Sequence, residues 1–270
     1  MQMAATTSSS GVARIQALGR DIDIEYYLIS PEKQDADLLV FLHEGLGSAS
    51  MWKDWPAQVC AAAGCRGLVF SRYGYGASTP RPLDEKWPVQ YMHDQAREAL
   101  PALFNALGMQ DEKPVLYGHS DGGSIALLYA AMYPDAVKGI VVAAPHIFVE
   151  DISVESIAKA RDAFLQTDLP QRLGRYHSNA EATFWAWNDI WLDPRFLEWN
   201  IEAYLDKIAC PILAVQGVDD EYGTLDQIQG IKRIATHAKL CIIERCRHSP
   251  HKDQPEIITN EVANFMRDLV

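Results

Sequence analysis

The sequence predicts a three-layer α/β/α fold, a mostly parallel buried sheet with helices on both faces and a helical insertion late in the chain. Three observations carry this. Short apolar runs typical of strands buried on both faces recur along the chain, helix-length segments separate them, and the alternation breaks only between residues 147 and 205.

The first strand signal is residues 22–29 (IDIEYYLI), which alternate with period two as a half-buried strand should. Residues 37–43 (DLLVFLH) are almost continuously apolar, and 67–71 (GLVFS), 114–117 (PVLY), 139–144 (GIVVAA), 212–216 (ILAVQ) and 240–244 (LCIIE) repeat that signature. Between them, 50–63, 92–107, 120–132, 225–234 and 256–269 read as helices. There is no internal repeat. Residues 1–10 are rich in Ser, Thr and Ala and lack both a basic start and an apolar core. They read as a disordered tail rather than a signal peptide. The core is then 11–146 together with 206–270, and 147–205 is a helical cap insertion.

That insertion holds Phe148, Phe164, Phe184, Trp185, Trp187, Trp191, Phe196, Trp199 and Tyr204. An all-helical segment placed there lies over the carboxyl ends of the strands, where open α/β sheets bind ligands. Singly these aromatics read as packing. Together they read as an apolar lid, with Trp185, Trp187, Trp191 and the later Tyr222 as candidate substrate contacts in a mostly dry pocket for an aromatic or medium-sized apolar group.

Bulk composition narrows the partners. With 270 residues and 48% hydrophobic content, one domain with an insertion is sufficient. Lys and Arg number 24 against 36 Asp and Glu, a formal net charge of -12 that opposes binding to nucleic acid or an anionic membrane. The five cysteines are odd in number and form no CxxC pair, which argues against a zinc or redox site and for a reducing, cytoplasmic compartment. No apolar stretch is long enough to span a bilayer. The expected partner is a small molecule, with no metal or organic cofactor, and the oligomeric state is open between monomer and homodimer.

The chemistry is carried by Gly118-His119-Ser120-Asp121-Gly122-Gly123, a G-x-S-x-G pattern between the strand PVLY and the helix SIALLYAAMYP. The strand-turn-helix setting gives the pattern its meaning, because a nucleophile elbow needs a turn tight enough to strain the serine backbone. Flanking glycines allow strand and helix to approach where a Cβ would collide. Ser120 then sits at a helix N-terminus, where the dipole favours developing negative charge. A serine hydroxyl also needs a base. After ILAVQ come Asp219, Asp220 and Glu221, and after LCIIE come His248 and His251, each at a strand's carboxyl end. Asp220 is preferred to Asp219 as the acid and His248 to His251 as the base. His43, His119 and His146 also lie near strand ends and read as structural or pocket-lining groups.

At this point residues 21–270 resemble the α/β-hydrolase superfamily, through FLHEGLGS, SRYGYGAS, YGHSDGGS and the pair QGVDDEYG with CRHSPHKDQPE. The resemblance implies an eight-stranded sheet and a Ser120–His248–Asp220 triad. It also implies an oxyanion hole built from the backbone N–H groups of Gly45 and Asp121. Glu44 stands where this family usually has Gly. The elbow S-D-G-G is similar to valacyclovir-hydrolase-like members, in which the aspartate after the nucleophile recognises a substrate amino group. That implies Asp121 and Glu44 as candidate contacts to a cation, against the plainer reading of Asp121 as a helix-start hydrogen-bonding group. The expected activity is hydrolysis of a small carboxylic ester or thioester through an acyl-Ser120 intermediate. The alternatives are C–C bond or enol-lactone hydrolysis in aromatic catabolism, cofactor-free oxygenation, and a non-catalytic small-molecule receptor on the same fold.

Overall fold

In the computed structural model, which describes residues 7–269, eight strands form one sheet. They are β1 (Ser8–Ala17), β2 (Arg20–Ile29), β3 (Leu38–Leu42), β4 (Arg66–Phe70), β5 (Val115–His119), β6 (Gly139–Ala143), β7 (Ile212–Gly217) and β8 (Lys239–Ile243). Their order is β1-β2-β4-β3-β5-β6-β7-β8; β2 runs antiparallel to both β1 and β4, and every pair from β4 to β8 is parallel. The helices are α1 (Trp55–Ala63), α2 (Tyr91–Asp94), α3 (Leu100–Ala106), α4 (Asp121–Met132), α5 (Asp151–Gln166), α6 (Leu169–Leu173), α7 (Ala180–Trp191), α8 (Glu202–Leu205), α9 (Asp226–Ile234), α10 (Pro250–Asp253) and α11 (Pro255–Asp268).

Strand parity sorts the core into two layers, as it must when successive side chains point to opposite faces. Leu39, Phe41, Val115, Tyr117, Val141 and Val215 pack with α1 and α11 on one face. Val40, Leu42, Leu116, Ile140, Val142 and Ala214 pack with α3, α4 and α9 on the other. Because both faces are covered, the central strands need apolar residues at every position, which is why their sequences read as unbroken runs. Helix α4 is buried on all sides from Asp121 to Ala131. Its glycines and alanines let it sit directly on β5 and β6.

The expectation of a disordered tail over 1–10 fails for Ser8–Ser10, which belong to β1; residues 1–6 lie outside the described residues. The polar composition is compatible with a strand because the first half of β1 is exposed, while Ala13, Ile15 and Ala17 point inward. Leu18 and Gly19, at φ 54° and 71°, close the β1–β2 hairpin. Positive φ at both central residues is the turn geometry that matches strand twist.

Residues 147–205 contain α5 to α8 and one isolated bridge, Phe148 to Asn200. Stacked Phe164 and Phe184, with centroids 3.9 Å apart, join α5 to α7. Side chains tie the insertion to the loop after β4. Thr183 Oγ1 donates to the Gly74 carbonyl at 2.7 Å. The Gly76 N–H donates to His177 Nδ1 at 2.9 Å, and His177 Nε2 donates onward to the Leu46 carbonyl at 3.0 Å. No described helix is long and apolar enough to cross a membrane.

Candidate active site

Ser120 joins β5 to α4 with φ 52° and ψ -119°, a conformation that costs a non-glycine residue on the order of 1–3 kcal/mol and persists only where the surroundings enforce it. The enforcement is visible. A Cβ on Gly118 would lie 2.2 Å from the Gly122 carbonyl oxygen, and one on Gly122 would lie 2.1 Å from that of Leu42. Only glycine lets α4 start this close to β5 and β3. The Ser120 carbonyl already accepts from Gly123 and Ser124 N–H, at 2.8 and 3.1 Å, so the helix begins at the serine itself.

His248 follows β8, and its Nδ1 lies 2.8 Å from Asp220 Oδ1. The carboxylate can only accept, so Nδ1 carries the proton and Nε2 presents a lone pair. Asp220 is fixed in turn by Gln216 Nε2 at 3.0 Å and the Tyr222 N–H at 2.9 Å. Burial alone would lower the His248 pKa, but the Asp220 charge and hydrogen bond outweigh it, with Glu221 and Glu44 adding to the rise. Asp220 moves the opposite way: burial pushes it up, and His248 pulls it below the ordinary aspartate value. The competing residues stand elsewhere. Asp219 is exposed, and the His251 ring packs against Trp52 and Trp55 at 4.7 and 5.4 Å.

Gly45 follows β3. A Cβ there would sit 2.1 Å from Trp187 Nε1, so the insertion presses on this loop and tolerates only glycine. Among the described residues, neither the Gly45 nor the Asp121 N–H has a partner in the surrounding turns and loops. The two acids beside them are not free charges. Glu44 lies 3.5 Å from His119 Nδ1 and 3.6 Å from Lys252 Nζ. Burial pushes its carboxyl up, but His119 and Lys252 hold it well below the usual range. Asp121 Oδ2 accepts from Tyr91 Oη at 2.8 Å and lies 3.7 Å from Arg72 Nη2, whereas Oδ1 has no partner. A substrate ammonium would compete with these neighbours for either acid.

Ser120 and His248 share the wall of a cavity of about 110 Å³ with Glu44, Gly45, Leu46, Asp121, His146, Ile157, Trp187, Trp191 and Tyr222. Trp185 is not on that wall; its ring packs against Phe164 and Phe184 at 5.5 and 5.3 Å. The cavity is well below the roughly 300–1,000 Å³ of drug-sized ligand sites. The indoles of Trp187 and Trp191 form part of its wall and narrow it from the insertion side. A larger groove of about 360 Å³ lies at residues 86–87 and 188–195, but it is lined by the paired Lys86, Asp189, Asp193 and Arg195 and holds none of the reactive residues. Among the described residues, no group of three or more His, Cys, Asp or Glu could hold a metal ion.

Several site residues had no signal of their own in the sequence. Gln216 orients Asp220, and Tyr91 receives Trp191 Nε1 at 3.2 Å while donating to Asp121, which links α7 to the elbow through α2. Arg72 lies inside SRYGYGAS, a stretch that marks the family resemblance without pointing to the arginine.

The sheet and the strand-turn-helix elbow are those of an α/β hydrolase. The model of the Alpha/beta hydrolase family matches residues 39–261, and the chain belongs to that family. It is 26% identical over 280 residues to the bifunctional esterase/perhydrolase DCH of Acinetobacter calcoaceticus, covering 91% of this chain and 96% of that one. Lipase LipV of Mycobacterium tuberculosis is 31% identical over 119 residues, and that match spans 44% of this chain and 42% of the lipase, less than half of either. A carboxylesterase structure from the thaumarchaeon Nitrososphaera gargenis superposes with a TM-score of 0.76 at 17% identity, covering 95% of this chain and 98% of the other. At that identity the likeness is one of fold.

Proposed function

We propose that the protein hydrolyses small carboxylic esters or thioesters through an acyl-Ser120 intermediate. The observation that carries this reading is the 2.8 Å contact between His248 Nδ1 and Asp220, made by a histidine that shares a cavity with a serine at φ 52°. In that tautomer Nε2 accepts the Ser120 proton as Oγ attacks the acyl carbon. The oxyanion faces the Gly45 and Asp121 N–H groups, and the imidazolium, balanced by Asp220, protonates the departing alcohol or thiol. Water then gives a proton to Nε2 as its oxygen attacks the acyl carbon, and collapse of the adduct breaks the acyl–Oγ bond, releasing the carboxylic acid while the imidazolium returns the proton to Ser120 Oγ.

The small, tryptophan-walled cavity favours a short acyl group. It also weighs against C–C hydrolysis of a bulky aromatic dienoate, although that reaction uses the same triad. The test is a series of p-nitrophenyl esters from acetate upward, assayed together with fluorophosphonate labelling. The expected result is turnover that is fastest on the short esters and lost in Ser120→Ala, with the label on Ser120. No turnover and no label would leave a small-molecule receptor as the better reading.

A further inference from the structure

We propose that Arg72 is a positioning residue that sets both donors of the oxyanion hole at once. The inference rests on the reading of Ser120 as the nucleophile. A peptide unit is planar, with its C=O and N–H pointing in opposite directions, so anchoring the Glu44 carbonyl fixes where the Gly45 N–H points. Three donors anchor it: Arg72 Nη2 at 2.9 Å, His43 Nδ1 at 2.7 Å and the Gly47 N–H at 3.1 Å. The second also depends on Arg72. The Arg72 backbone N–H donates to His43 Nε2 at 3.0 Å, which leaves the ring proton on Nδ1, where it reaches the Glu44 carbonyl.

The other donor is the Asp121 N–H, and the Asp121 carboxylate lies 3.7 Å from the same Arg72 nitrogen. The guanidinium is 2% exposed and lies over the Tyr75 ring at 4.6 Å, so its plane is held as well. Among the described residues, its Nε and Nη1 find no acceptor. Burying a cation with unpaired donors is costly, so stability alone is a poor reason for an arginine here. A fixed positive charge bridging both walls of a site where an oxyanion forms is a better one. Lysine would keep the charge but, as a compact ammonium on a flexible stem, could not hold the carbonyl and the carboxylate in one plane.

The test compares wild type with Arg72→Lys and Arg72→Gln, with rates normalised to fluorophosphonate-titrated Ser120. The expected result is a loss in kcat of about 10- to 100-fold with KM nearly unchanged, because the lost interaction belongs to the transition state. Affinity for a short-chain alkyl trifluoromethyl ketone, to whose carbonyl Ser120 adds to give a tetrahedral oxyanion, falls in parallel. Affinity for the corresponding carbinol, which cannot add, does not.

Variants with wild-type kcat, or with equal weakening of ketone and carbinol, overturn the proposal. If neither variant folds, Arg72 is a structural residue and the proposal fails too. A wild type that neither turns over esters nor labels at Ser120 is a different result, and it removes the hydrolase reading itself.

Discussion

His119 Nε2 donates to the backbone carbonyl of His248 at 2.7 Å, tying the residue before the proposed nucleophile Ser120 to its proposed base. On the other side of the ring, Nδ1 faces Glu44 at 3.5 Å. The elbow, the loop after β3 and the loop after β8 therefore meet at one imidazole. Replacing His119 by Phe keeps the ring but cuts both links. The expected outcome is a kcat lower by about tenfold with folding intact, since a loosened base loses alignment rather than chemistry. Steady-state kinetics alongside near-ultraviolet circular dichroism decides it, and unchanged kcat would remove His119 from the positioning network.

The pH profile tests the electrostatics of the base. His248 must be neutral to accept the Ser120 proton, so kcat/KM rises as pH climbs through its pKa. That pKa is raised above the ordinary histidine value, with Glu44 among the causes, so the acid limb of the profile should have its midpoint above 6.5. Glu44→Gln removes a negative charge that favours the imidazolium. The midpoint should then move to lower pH. A shift upward, or none, would show that Glu44 does not act on His248.

Acid stability should be governed by buried neutral histidines. Burial, with Arg97 nearby, lowers His93 from 6.5 to about 4. His43, His146, His177 and His251 are shifted downward as well, each mainly by burial. A lowered folded-state pKa means that the unfolded chain takes up the proton first. Stability is therefore complete above about pH 6.5 and is lost as pH falls toward the folded value. For His93 that window runs down to about pH 4 and corresponds to about 3 kcal/mol. His248 has the opposite sign and offsets part of the loss. In urea unfolding at pH 8 and pH 4.5, His93→Phe should change little at the higher pH and recover about 2 kcal/mol at the lower. Equal effects at both would mean that packing against Trp199 and Tyr204, not protonation, dominates at this position.

The parallel part of the sheet was legible because buried strands need apolar residues throughout, as in DLLVFLH and GIVVAA. Strand β1 was hidden because its first three residues are serine and, of its inward residues Ala13, Ile15 and Ala17, only Ile15 is a large apolar side chain. The elbow was legible because its glycines answer a local steric demand. Arg72, Tyr91 and Gln216 were not, since their roles arise from contacts between segments far apart in sequence. Trp185 and Trp187 are separated by one residue on α7, and only the rotation of that helix decides which of them reaches the cavity.

That rotation gives the substrate-size prediction. Trp187 lies over Gly45 and fills space beside Ser120, whereas Trp185 packs against Phe164 and Phe184 away from the cavity. Trp187→Ala should enlarge the acyl site and move the preference from acetate or butyrate esters toward octanoate. Each methylene newly accommodated is worth about 0.8 kcal/mol of burial, so a few of them can change the ratio of kcat/KM values by about 10- to 100-fold. Trp185→Ala removes an indole of similar size from the same helix. It should lower stability by about 3 kcal/mol or less for a half-buried ring, and leave the chain-length preference where it was. Assaying both variants on one ester series separates the outcomes, and a preference that moves equally in both would place the acyl group somewhere other than beneath Trp187.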